Sequence, residues 1–135
     1  MIGLDTGFFV ELVKSNSMAV RIWEGIVEGD ESAVSCISLF ELQRLSLKGM
    51  IPAETISLLF EAISAICKVV WLDHVDLLKD AGHISWSYGI HAIDSLILAS
   101  LATLNVKTIY TTDSHIEKYK KKGIKVINMV AGSRS

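Results

Sequence analysis

Proline is nearly missing from this sequence, Pro52 being the one example in 135 residues. Proline interrupts helices and removes sheet donors, so its scarcity leaves the chain free to form regular elements almost throughout. Cysteine is nearly as scarce. Cys36 and Cys67 stand in apolar surroundings without partners at metal spacing, which excludes a disulfide framework and a cysteine zinc site. Both read as reduced core thiols of a cytoplasmic protein. Long apolar runs are lacking too: the longest, Ile93 to Val106, is interrupted by Asp94 and falls short of the roughly 20 residues needed to cross a bilayer. No basic, apolar leader precedes Asp5, so a soluble protein is expected, with no membrane partner. Nor is there a surplus of positive charge, the formal net charge being −2. What is present is a chain 50% hydrophobic, globular rather than disordered in composition, and of a length that suits one domain over 1–135.

Short runs rich in valine and isoleucine alternate with longer segments whose apolar residues recur at helical spacing. Strands are expected at Ile2 to Asp5, Ala33 to Ile37, Lys68 to Leu72, Lys107 to Thr111 and Ile124 to Asn128. Helices are expected at Thr6 to Lys14, Met18 to Glu28, Ser38 to Lys48, Pro52 to Ile66, His74 to Tyr88, His91 to Leu104 and Ser114 to Lys122. Pro52 suits a first helical position, and Gly29, Gly49 and Gly123 suit helix exits. The order predicts an α/β fold, a parallel sheet covered by helices.

The stretch Asp5-Thr6-Gly7 matches the signature of aspartic proteases, whose catalytic turn belongs to an almost entirely β fold. Here it runs straight into an amphipathic helix carrying Phe8, Phe9, Leu12 and Val13, so that reading fails on context. In open parallel sheets the functional crevice lies beyond the carboxyl ends of the strands. Asp5 ends the first strand, Glu41 lies one turn into the helix after the second, and Asp113 follows the fourth. Asp94 stands near the start of the apolar helix HAIDSLILASLA, on the same face as Ile97 and Leu98. A carboxylate there costs stability unless something offsets it.

Each acid also has a plainer role. Ser38 and Glu41 read as a capping box, Asp113 as a cap for the last helix, Asp5 as a cap for the first, and Asp94 as an acceptor from His91 or a backbone amide. Four independent caps would not need to gather after three strands and at the start of one buried helix.

The stretches GLDTGFFV, SCISLFELQRL, HAIDSLILASLATLN and TIYTTDSH, in this order, make the whole chain resemble the PIN-domain family of metal-dependent nucleases. The resemblance implies a three-layer α/β/α fold around a five-stranded, mostly parallel sheet. It makes Asp5, Glu41, Asp94 and Asp113 the acidic catalytic and metal-binding quartet, with Thr111 and Thr6 as supporting hydroxyls. It implies hydrolysis of phosphodiester bonds, most often in RNA, leaving a 5′-phosphate. Gathered carboxylates repel one another unless a cation offsets their charge, and oxygen-only ligands favour hard ions, so Mg²⁺ or Mn²⁺ is the expected cofactor. Two positions depart from the family pattern. Gly7 stands where many relatives carry Asn or Ser, and Ser114, His115 and Ile116 stand where many carry a further acid, leaving Glu117 as a distant substitute.

From Lys107 onward there are seven lysines and arginines against two acids, and six against thirteen before it. Lys118, Lys121 and Lys122 are the expected RNA-binding residues; a solvated helix end complementing the dipole explains them as well. His91 and His115 read as neighbours of the site and not as catalysts, no nucleophile turn is present for a Ser-His-Asp triad, and Trp23, Trp71 and Trp86 read as packing residues. Small PIN proteins resemble VapC-type toxins of toxin-antitoxin pairs, which implies an antitoxin partner and a homodimer, with Met18 to Val27 and Ile56 to Ile66 offering surfaces. The other readings are a noncatalytic RNA- or protein-binding scaffold, a nuclease of housekeeping RNA processing and a receiver-like phosphoacceptor.

Overall fold

The structure, a computed structural model, describes residues 1–130. Arg134, part of the basic tail counted above, lies outside them.

The chain runs β1 (Ile2–Leu4), α1 (Thr6–Val13), α2 (Ser17–Val27), β2 (Ser32–Ser35), α3 (Cys36–Leu47), α4 (Ala53–Ile66), β3 (Lys68–Val70), α5 (Val75–Tyr88), α6 (Ala92–Ala102), β4 (Thr108–Thr111) and β5 (Lys125–Asn128). The five strands form one sheet in the order β3-β2-β1-β4-β5, and every pairing is parallel. The expected α/β architecture is present, with six α-helices on an all-parallel sheet among the described residues.

Parallel strands need crossovers, and their helices cover both faces. Alternation along β2 shows this directly: Val34 faces a core with Phe8, Phe9, Leu42 and Ile63, while Ala33 faces a second core with Ile84, Ile97, Leu98 and Leu101. Helices α1 to α4 therefore lie on one face and α5 and α6 on the other. Phe9 packs edge to face against both Phe8 and Trp23, at 5.2 and 5.9 Å between ring centroids. Trp71 and Trp86, by contrast, do not pack as expected; they are 60% and 90% exposed.

Caps explain most shifts in helix boundaries. Ser35 and not Ser38 caps α3, its hydroxyl accepting from the Ile37 amide at 3.2 Å, so the helix starts at Cys36 and Ser38 falls inside it. Cys36 is consequently only partly buried, whereas Cys67 is buried; both are free. Pro52 precedes α4 as its cap. The helix expected from Ser114 to Lys122 is a single 3₁₀ turn, Ile116–Lys118. Tyr119 leaves that turn extended, to bury its ring edge-on against Tyr88 at 5.5 Å, and the Tyr88 hydroxyl then donates to the Lys120 carbonyl. Repulsion among Lys118, Lys121 and Lys122 at one-turn spacings also disfavours a longer helix.

Candidate functional site

The sheet order places β1 between β2 and β4, so the strands around β1 carry their following segments to one rim. Asp5 emerges there from β1, 4% exposed. It caps α1: its Oδ1 accepts from the Phe8 amide at 3.1 Å. Its Oδ2 accepts from the hydroxyl of Thr111, at the end of the neighbouring β4. Thr111 Oγ1 also accepts from the Asp113 amide at 3.0 Å, fixing the turn that carries Asp113. Asp113 Oδ1 accepts from the His115 amide at 2.8 Å, with His115 Nδ1 at 3.7 Å.

Glu41, on α3, does not reach back to cap its own helix. It accepts from the Thr6 hydroxyl at 2.5 Å, and Ser38 Oγ lies 3.1 Å from that same hydroxyl. Thr6 is thus a defined partner of Glu41 in α1. Asp94, in the first turn of α6, completes the group. Its helix is seated on β2 by a buried hydrogen bond between Ser35 and Ser100, 3.0 Å long. Ile97 and Leu98, on its face, are buried in the core.

The acids sense one another. Burial pushes the Asp5 carboxyl up to about 7, against the Thr111 and Phe8 donors, with the charges of Asp94 and Asp113 adding to the rise. Burial also raises Asp94, to about 6, helped by the charges of Asp113 and Glu41 and by a hydrogen bond with Asp113, and opposed by His91. His91 stands at the N-cap of α6 without a side-chain cap hydrogen bond, and its ring lies 5.9 Å from that of His115. All four acids are therefore neighbours at one rim, in an arrangement that leaves them open. Among the described residues no three His, Cys, Asp or Glu side chains close around a point where an ion would sit. The donor set is nonetheless the hard-oxygen kind that Mg²⁺ or Mn²⁺ takes, and Mg²⁺ commonly binds one or two carboxylates and keeps several waters. The chemistry of the residues fits such an ion.

Lys118, Lys121 and Lys122 are exposed and form no ion pair with any of the four acids. Lys121 and Lys122, with Lys120 and Lys125, line a groove of about 420 Å³ beside β5 to which none of the four acids contributes. On the proposed partner helices, the inner residues Ala19, Ile26, Ile56, Leu59 and Ile63 are core, leaving Val27, Leu58 and Ile66 exposed. In the sequence Ser38 reads only as a helix cap, and Thr112 and the Ser35–Ser100 pair pass unnoticed. A polar residue within the apolar run LILASLA was the one signal for the last of these.

Comparison with known proteins places this geometry in context. Among solved structures, the chain superposes on a toxin-antitoxin complex from Klebsiella pneumoniae with a TM-score of 0.74 and 16% identity, covering 96% of this chain and 98% of that one. VapBC2 from Rickettsia felis, bound to a DNA fragment from its promoter, gives 0.73 and 20%, covering 95% and 98%. The sarcin-ricin loop cleaving toxin VapC20 from Mycobacterium tuberculosis gives 0.66 and 17%, covering 87% and 93%. At these identities the likeness establishes the fold. No curated protein matches the sequence. The PIN domain pattern matches residues 2–122, and the chain belongs to the PIN-domain family.

Proposed function

We propose that this protein is a Mg²⁺- or Mn²⁺-dependent endoribonuclease, the toxin of a toxin-antitoxin pair. The observation that carries the reading is the meeting of Asp5, Glu41, Asp94 and Asp113 at one rim of the sheet, where burial, helped by the neighbouring acid charges, holds Asp5 and Asp94 well above the usual carboxylate range. Raised carboxyls beside one another are the state that a cation relieves.

Asp5, Asp94 and Asp113 would hold the ion, with Glu41 holding it or orienting the attacking water. When bound, the ion neutralises a nonbridging phosphate oxygen, acidifies water and stabilises the leaving oxygen. The chain's own hydroxyls set the carboxylates: Thr111 fixes Asp5, and Thr6 fixes one oxygen of Glu41. Lys118, Lys121 and Lys122 would grip backbone phosphates beyond the cut site. A small antitoxin and a second copy of the chain are the proposed protein partners. Support comes from the superposed complex from Klebsiella pneumoniae and from apolar side chains left exposed on α4 and α5, Leu58 at 68%, Val75 at 68% and Trp86 at 90%.

A second reading, a noncatalytic PIN scaffold that binds RNA or protein, draws on the openness of the acid group. The two are separated by incubating protein freed of any partner with a mixed RNA pool and Mn²⁺ or Mg²⁺. Cleavage that leaves 5′-phosphates and stops with chelator supports the nuclease; a folded protein that binds RNA without cutting it supports the scaffold.

A further inference from the structure

Gly7 occupies the first turn of α1, between the Asp5–Thr6 pair and the aromatic core residues Phe8 and Phe9. Its backbone does not need glycine, for it is not among the residues of positive φ. Glycine within a helix costs about 0.5–1 kcal/mol relative to alanine, so its presence calls for another reason, and space supplies one. A Cβ at position 7 would stand 2.0 Å from Thr112 Oγ1, 3.0 Å from its Cβ and 3.2 Å from its Cγ2. Among the described residues no other glycine is so closely opposed; the next, Gly25, would meet Asp30 at 2.6 Å. The Thr112 hydroxyl therefore lies in the volume that a side chain at position 7 would take, with its Cβ and Cγ2 in tight contact behind it.

Thr112 joins two anchored residues. Thr111 is tied to Asp5, and Asp113 is tied back to Thr111. On the opposite side, Gly7 follows Thr6, which holds Glu41. The contact thus sets the segment that carries Asp5 directly against the turn that carries Asp113. We propose that Gly7 and Thr112 form a size-matched positioning pair that sets the separation of the Asp5 and Asp113 carboxylates, and through it the site's affinity for a divalent cation. This inference rests on the proposed reading of the four acids as a divalent-cation site. Neither residue needs to touch substrate. Thr112 also fills the space left by the missing side chain at position 7, so the departure of Gly7 from the family pattern is answered from across the crevice.

The test is a double-mutant cycle of Gly7→Ala, Thr112→Ala and the pair, read by Mn²⁺ titration calorimetry, by thermal unfolding without metal and by RNA cleavage. Gly7→Ala drives the two segments apart; misplacement of a catalytic constellation by about 1 Å costs about 100-fold in rate, and a loss of that order in kcat is expected, with weaker Mn²⁺ binding. Thr112→Ala alone is expected to stay within about fivefold, because the gap it leaves does not push Asp113 away. The double variant relieves the clash, leaving a tight 3.0 Å approach of the two Cβ atoms, and both Mn²⁺ affinity and cleavage should recover most of what Gly7→Ala loses. Full Mn²⁺ affinity in folded Gly7→Ala overturns the proposal. So does a loss that Thr112→Ala fails to restore in a double variant that folds. If wild type binds Mn²⁺ and cuts no RNA while the affinity pattern holds, the nuclease reading falls and the positioning pair stands.

Discussion

Thr111 donates its hydroxyl proton to Asp5 Oδ2 and accepts the Asp113 amide on the same oxygen, so one side chain ties together two acids separated by most of the sequence. Thr111 is itself fully buried. Replacing it with valine keeps the shape and strands the Asp5 carboxyl without its side-chain donor. Loss of a hydrogen bond to a buried partner costs about 1–3 kcal/mol. Denaturant unfolding of Thr111→Val should show a loss in that range, together with weaker Mn²⁺ binding, while Thr111→Ser stays near wild type.

The raised acids make stability depend on pH in a definite direction. An ordinary Asp loses its proton near 3.9 in the unfolded chain, whereas in the folded protein Asp5 holds its proton up to about 7 and Asp94 up to about 6. Between these limits the folded state binds more protons than the unfolded one, so these two groups make stability fall as pH rises from about 4 to about 7. Above that window their penalty is constant. Thermal unfolding of metal-free protein should show this trend, and Asp94→Asn should flatten it. A divalent ion reverses the balance by favouring the charged carboxylates, so Mn²⁺ should raise the unfolding temperature more at pH 8 than at pH 5.5.

Burial separates residues that hold the fold from those available to partners. Leu98 is wholly buried, and Leu98→Ala should cost about 2–5 kcal/mol. Trp86 is 90% exposed, and Trp86→Ala should change stability by no more than about 0.5 kcal/mol. If α5 is the self-association surface, the same substitution should shift sedimentation toward the monomer.

The lysines beside β5 should act through charge alone. Lys121→Ala and Lys122→Ala, assayed for RNA binding across a salt series, should each weaken binding and lower the slope of log affinity against log salt by about 0.7 if each neutralises one phosphate. Unchanged slopes would make them a solvated edge of the 3₁₀ turn.

The alternation of apolar runs made the parallel sheet legible, because a strand covered on both faces needs consecutive apolar residues, as in Ala33 and Val34. Ordered acids at strand ends made the site legible. What escaped were features decided by contacts distant in sequence. Ser35 competed with Ser38 for the cap of α3, and only the packing of Thr6 on Glu41 shows why Glu41 points across the rim. The last helix failed because burying Tyr119 against Tyr88 outweighed local helix propensity. Trp71 and Trp86 lie within apolar patterns, yet such patterns do not tell an inward helix face from one left for a partner.

Under the proposed function the four carboxylates act together on RNA through a metal ion. The most direct measurement is cleavage of a mixed RNA pool with Mn²⁺ by wild type and Asp94→Asn, prepared identically, freed of partners and matched for folded content. Cleavage by wild type that disappears in Asp94→Asn and in the presence of chelator is the expected result. Equal cleavage by both proteins would remove Asp94 from the chemistry, and cleavage by neither would leave a PIN scaffold without the nuclease.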